Sequence, residues 1–466
     1  MALSSYLGFD RRYIWWALGF ALFAGFALGA HVVSVIGFDL PLGKAFSSYV
    51  QTHGFIQLVG WVGLFIMGVS LHVLPRMAAA PILAPFQATI ILYSVTAGLL
   101  LRFLAHSVLP YLKSPAVFGA ASLLFLLSAT LVCLGAWTFV ATLLSSFTRV
   151  PDLRKRSALK GVQPFFLLML LGWSVFPLLN LLLSYEMWQT KAIVLDQTWN
   201  EWGVQLFLHL ILFPVTFAFS IRLLPLYMRL PVIDWSTRRF AFFYGVVAIA
   251  GLTLQIPPVL RSDLFLLQPL SHFFLLLKSS AFLWFIFRLG VLHRRRELLR
   301  EELDTGWTAA SWTRDIEQFG PFHKLIRASF AWLAVGAFCE FLQGVCGLAN
   351  VALPVSSDAV RHIYLLGFAT HLLLGISVRM LPGFMGRKAI ARPRLVSVMF
   401  WLVSTAAFTR ILPILVPASV ILWLPGGTRQ AQAALGTSGL FGIAAIALLA
   451  LNLARTANPL AGVVRG

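Results

Sequence analysis

The chain has 466 residues, 59% of them hydrophobic and 11% charged, with a mean hydropathy of +0.86. Soluble globular domains carry about 25% charged residues, so this composition excludes a water-soluble globule and indicates an integral membrane protein. A formal charge of +20 does not indicate nucleic acid here, because most of the cations stand in short loops between apolar runs, where they set membrane topology.

Taking a span as roughly 20 residues, twelve apolar runs follow in chain order. They lie at approximately 13–37, 50–74, 85–106, 116–148, 162–184, 202–228, 240–259, 268–292, 325–349, 361–384, 395–417 and 431–453. The predicted fold class is all-α: a polytopic membrane protein of about 12 transmembrane helices, with residues 1–466 forming a single integral membrane domain. The first run is longer than the apolar core of a secretory signal and precedes no small-x-small site, so no cleavable signal is expected. Cys133, Cys339 and Cys346 have no metal-ligand spacing and read as buried hydrophobes.

The N-tail, the loops after spans 2, 4, 6, 8 and 10, and the C-tail hold 23 of the 36 Lys+Arg; the opposite loops hold 6. Arg154-Lys155-Arg156, Arg294-Arg295-Arg296 and Arg387-Lys388 are the strongest anchors. The expected topology is therefore multi-pass in the bacterial inner membrane with both termini cytoplasmic. The longest cytoplasmic loop, 293–324, contains Trp307 and Trp312 and is expected to form an amphipathic surface piece.

One motif recurs. Ser70-x-His72-x-Leu74-Pro75 in span 2 returns as Ser220-x-Arg222-x-Leu224-Pro225 in span 6 and Ser377-x-Arg379-x-Leu381-Pro382 in span 10. Gly60 and Gly68 of the first copy match Gly367 and Gly375 of the third. The interval of four spans predicts a pseudo-threefold repeat of four-helix units. The three prolines are expected to close their spans.

Histidines gather on one side. His31, His53, His106, His209, His272 and His362 fall in outer halves or at the outer rim; His371 lies deeper in span 10, and His72 sits at an inner end. An imidazole in hydrocarbon needs a partner, and a haem iron or copper suits it. His31, His106 and His272 read as anchors or helix–helix hydrogen bonds, whereas His53, His209 and His362 are candidate metal ligands, with His371 a further one. His53 and Gln57 stand one turn apart and can share a face. His362 and His371, nine residues apart, diverge by roughly 180° on an ideal α-helix, so they cannot serve one metal together. Among charged groups deep in spans, Glu340 is read as the acidic one and Lys278, Arg288 and Arg410 as basic, all expected to be paired or neutralised. Arg222 and Arg379 are expected to snorkel to the cytoplasmic side or to pair with haem propionates.

These residues resemble a family. His53-Gly54-x-x-Gln57-x-x-Gly60-Trp61 through His72-Val73-Leu74-Pro75-Arg76, with Arg361-His362-x-x-x-x-Gly367-Phe368 through Arg379-Met380-Leu381-Pro382-Gly383-Phe384-x-Gly386-Arg387, look like the NnrS family of membrane proteins. The resemblance implies twelve spans, haem and copper as cofactors, and a part in the bacterial response to nitric oxide. It departs at Gln51-Thr52-His53-Gly54-Phe55, where the family has His-x-His-Glu-Met, and at Gly383-Phe384-Met385-Gly386-Arg387, where the family has a histidine. Both departures bear on copper. A more distant resemblance is to the large subunit of haem-copper oxidases, with twelve spans and haem histidines on spans 2 and 10. That family needs a His pair on span 7, and residues 240–259 contain none.

The expectation is a membrane protein binding haem b, and copper as a second cofactor, with the lipid bilayer as its partner, nitric oxide as its gaseous ligand and no nucleic acid. His53 and His362 are the expected axial pair, between spans 2 and 10. The alternatives are a secondary transporter, suggested by twelve helices and Glu340, and a cofactor-free assembly protein. Catalysis itself has no sequence signature here.

Overall fold

The computed structural model describes residues 8–80, 82, 84–149, 159–260, 266–293, 307–351, 353, 355–422 and 426–458. The anchors at 154–156 and 294–296, and the first part of the long loop, lie outside the described residues. Among the described residues the fold is all-α, with no strand. Twelve helices are long and apolar enough to cross a membrane: Arg11–Gly37, Phe46–Ala78, Phe86–Tyr111, Pro115–Phe147, Gln163–Thr190, Gln197–Tyr227, Thr237–Leu254, Leu267–Leu289, Phe322–Leu348, Ser357–Phe384, Arg394–Leu415 and Gly427–Ala457. They are spans 1 to 12 below. This is a polytopic, multi-pass membrane protein. Helices dominate because each satisfies its own backbone hydrogen bonds, which hydrocarbon cannot do.

Polar residues start several spans. Asp10 accepts from the Arg12 amide, Asp196 from Trp199, Ser236 from Arg239 and Ser356 from Asp358, meeting N–H groups that have no partner inside the helix. Pro75, Pro225 and Pro382 stand inside their helices, which run on to Ala78, Tyr227 and Phe384. Each proline therefore lies within the last turn, where its missing N–H costs one bond and the chain ends soon after.

The helices form two compact units: Met1–Val32, Pro41–Ser220 and Trp235–Phe274 make one, and Val33–Leu40, Ile221–Asp234 and Leu275–Gly466 the other. In the first, span 1 packs on span 2, span 3 on span 4, and span 5 on span 6; in the second, span 9 packs on span 10 and span 11 on span 12. Spans 2, 6 and 10 are distinguished by burial: 89%, 78% and 78% of an 18-residue window, against 50% or less for every other span.

The backbone adds a second repeat to the sequence motif. Spans 2, 6 and 10 each widen into π-helix, at Ile56–Gly63, Phe207–Leu212 and Ile363–Thr370. Ile56 precedes Ser70 by 14 residues, Phe207 precedes Ser220 by 13, and Ile363 precedes Ser377 by 14. The register is the same to within one residue.

A close helix contact repeats with it. A Cβ on Gly60 would lie 2.9 Å from Phe20 Cβ, and one on Gly367 2.7 Å from Trp332 Cγ. Seven residues before Phe20 and Trp332 stand Tyr13, against Gly68, and Leu325, against Gly375. In the middle copy the position ten residues before the repeat serine is Leu210, and the glycine is on the facing helix: a Cβ on Gly172 would lie 2.9 Å from Leu210 Cβ. One small and one large residue meet in every copy, with their places exchanged in the second. Small residues let membrane helices approach closely. Gly367→Ala should therefore lower thermal stability in detergent by about 1–3 kcal/mol through overpacking, and adding Trp332→Phe should recover part of the loss; equal stability of Gly367→Ala and wild type would contradict the contact.

Candidate functional site

π-Helical turns widen a helix, and a carbonyl has two lone pairs, so such a turn can offer a carbonyl to a side chain as well as to its own N–H. That happens repeatedly here. His53 Nδ1 lies 2.9 Å from the carbonyl of Gly25, inside the π stretch Ala21–Phe26 of span 1. Tyr244 donates its hydroxyl to the carbonyl of His209, 2.8 Å. In span 10, Thr370 Oγ1 donates to Leu365 O at 2.8 Å, and His371 Nδ1 lies 3.2 Å from Leu366 O, both five residues back.

A carbonyl only accepts, so Nδ1 of His53 carries the proton and Nε2 the lone pair. Its ring is seated on Gly29, where a Cβ would come 2.4 Å from Cε1. Gln57, one turn on, rests against Gly25, so His53 and Gln57 share a face as the spacing predicts.

His362 has a related arrangement. Its Nδ1 lies 2.8 Å from Asp358 O and 3.2 Å from Asp358 Oδ1. The carboxylate also takes Arg410 at 2.8 Å and Arg361 at 3.8 Å. Again the proton is on Nδ1. An imidazole held this way by a carbonyl or carboxylate is oriented, with Nε2 as the ligating nitrogen. His53 stands 17 residues before its repeat serine and His362 stands 15 before its own, so the two differ by about 3 Å along their own spans. His209, 11 residues before Ser220, is about 9 Å deeper than His53 on the same scale; it is buried, with its ring 5.3 Å from Phe213.

The 180° separation of His362 and His371 assumed an α-helix, whereas the turns between them are π-helical. The angle therefore does not apply. His371 is wholly buried, with Nδ1 on Leu366 O and Nε2 3.2 Å from Ser404 Oγ, so both ring nitrogens are engaged within span 10 and its neighbour span 11. His106 is likewise engaged twice, by Thr52 Oγ1 at 2.8 Å and Ile193 O at 3.1 Å. His31 is exposed, beside Tyr49, and the His72 ring meets Phe9. Arg76 donates to the carbonyl of His72.

The deep charges expected to be paired, Glu340, Lys278, Arg288 and Arg410, are paired. Lys278 Nζ lies 2.9 Å from Glu340 Oε1, and Tyr364 donates to Glu340 Oε2 at 2.6 Å. Arg288 pairs with Asp234 at 2.8 Å. Arg379 lies 3.4 Å from Asp315, which also takes Arg229 at 3.3 Å. Asp315 belongs to the helix Trp307–Phe319, so the loop that reads as amphipathic holds the exit of span 10. Arg222 is half-buried at the same repeat position. Sequence reading passed over Arg102, Asp358 and Tyr364. Arg102 is fully buried on span 3, and its single charge inside an apolar run was the available signal.

The repeat serines share one more property. Most helical Ser and Thr hydroxyls here donate back to a carbonyl three or four residues earlier, as Thr96, Ser122, Ser184 and Ser279 do. Ser70, Ser220 and Ser377 are buried and make no hydrogen bond. Three equivalent hydroxyls thus stay available to a polar group.

Comparison with protein-family models and with curated protein sequences finds no match for this chain.

Among the described residues no three His, Cys, Asp or Glu side chains gather in one place. A haem needs only one or two imidazoles from the protein, and the Nδ1-anchored rings of His53 and His362 fit that need. For the buried pair, Lys278→Met alone should cost about 3–5 kcal/mol by leaving Glu340 charged and unpaired, while the double variant with Glu340→Gln should recover much of it. Denaturation in mixed micelles measures both, and a double variant no more stable than the single would contradict the pairing.

Proposed function

We propose that the protein is a b-type haem-binding protein of the bacterial inner membrane, with both termini cytoplasmic, acting in the response to nitric oxide. The observation that carries this reading is the Nδ1–H anchoring of His53 on Gly25 and of His362 on Asp358. Each presents Nε2 as the basic nitrogen, as haem and metal ligands do. Gly54, next to His53, has open space where a Cβ would stand, and the resemblance of spans 2 and 10 to the NnrS family points to the same cofactor. Haem iron, when bound, supplies a site for a diatomic gas or for one-electron transfer. His53 and His362 are the residues that would each offer an imidazole to a haem, and His209 is the remaining candidate.

A second reading, secondary transport, has its own support in Lys278–Glu340–Tyr364, a buried ion pair with a phenol attached. Intramembrane ionisable groups commonly form proton relays.

An optical spectrum of the purified protein separates the two. The expected outcome is a Soret band that shifts on reduction, with His53→Ala and His362→Ala each losing haem or low-spin character. Wild-type haem content in both variants would refute the ligands; protein without haem would leave transport, read as proton uptake by proteoliposomes that Glu340→Gln abolishes. For the topology, reporter fusions at Lys113 and Val355 should read outside and one at Arg156 inside, and the opposite pattern would overturn the orientation.

A further inference from the structure

Arg102 is 0% exposed, at the heart of the first compact unit. Its Cζ lies over the ring of Phe55 of span 2, 3.8 Å from the centroid, and over that of Phe125 of span 4, 4.5 Å from the centroid. Its Nη1 donates to Asn180 Oδ1 of span 5 at 2.9 Å. Nε and Nη2 are buried and have no hydrogen-bond partner.

The other buried Lys, Arg, Asp or Glu side chains among the described residues, Lys278 and Glu340, neutralise each other. Arg102 pairs with no carboxylate among the described residues. A guanidinium cannot discharge itself by losing a proton, so in a membrane interior its donors need acceptors, best of all an anion. The nearest imidazole does not compete for one. Nε2 of His106 faces the carbonyl of Ile193 and so bears a proton, and Nδ1 is engaged by the Thr52 hydroxyl, so both ring nitrogens already have partners.

The two orphaned donors are particular ones. Nε–H and Nη2–H project side by side in the guanidinium plane, and this fork is the geometry that takes two oxygens of one anion. Phe55 and Phe125 crowd the cation without offering it an anion. We propose that Arg102 binds a small planar oxyanion through Nε and Nη2: a carboxylate, or an inorganic oxyanion such as nitrate or nitrite. Asn180 fixes the guanidinium from its other side. The site is independent of the haem reading, because His53 leaves span 2 toward Gly25 and Gly29 of span 1, whereas Phe55 leaves it toward Arg102 and Phe176.

The test uses the full-length protein purified in detergent and exchanged into chloride. Anions released on denaturation are quantified by ion chromatography, and thermal stability is followed as sodium nitrate or sodium formate replaces chloride at constant ionic strength. The expected result is either a stoichiometric retained oxyanion or a saturable rise in Tm. A formate response alone assigns a carboxylate, and a nitrate response alone an inorganic oxyanion. Arg102→Met should abolish both signals. Where that variant does not fold, Asn180→Asp decides: it supplies an internal carboxylate, so Tm in chloride should rise and the oxyanion response should vanish. No retained anion and no saturable response in wild type would overturn the proposal. So would a response that survives in Asn180→Asp or in folded Arg102→Met.

Discussion

A transmembrane helix normally spends its backbone polar groups on itself, which leaves a buried imidazole or hydroxyl with few acceptors. This chain meets that constraint by widening spans 1, 2, 6 and 10 into π-helix for six to eight residues each. The carbonyls so presented accept His53, Tyr244, Thr370 and His371. An unmatched polar group in an apolar interior costs about 1–3 kcal/mol, so four such bonds matter to a structure whose helices are otherwise apolar. They also fix ring tautomers. The carbonyl of Gly25 sets the proton of His53 on Nδ1, and with it the nitrogen that any metal would meet.

Charge follows a stricter rule. Lys278 and Glu340 compensate each other and Tyr364 fills the remaining carboxylate oxygen, which makes a closed network across spans 8, 9 and 10. Arg410, Arg361 and His362 converge on Asp358 at the start of span 10, so the ring of His362 is oriented by a carboxylate that is itself held. Arg102 departs from the rule. Two phenyl faces and one amide oxygen offset part of its desolvation, each cation–π contact contributing about 2 kcal/mol when dry, yet neither is an anion. A closed network stabilises a fold; an open one invites a ligand.

The repeat is carried more faithfully by packing than by letters. Phe20 on Gly60 and Trp332 on Gly367 are recognisably the same contact, and Gly172 against Leu210 is that contact with its two halves exchanged. Steric complementarity demands only that one partner be small. Substitution can therefore move the glycine to the facing helix while the distance between helices is kept.

Hydropathy made the number and approximate limits of the spans legible, because the cost of exposing polar groups to hydrocarbon acts on every residue of a span and needs no knowledge of neighbours. The motif ending at Pro75, Pro225 and Pro382 marked spans 2, 6 and 10 as equivalent, and the spacing of His53 and Gln57 put them on one face. Lys278, Arg288 and Arg410 were readable as cations in need of partners. Which partner each would find was not readable: Glu340 is 62 residues from Lys278, and Asp358 is 52 from Arg410. Nor were the π turns, since apolar residues at these positions suit either helix type and the choice depends on what packs alongside. The exchanged glycine, Gly172, and the two rings around Arg102 belong to this second class. They depend on contacts between spans far apart in the chain, and only the tertiary structure brings those together.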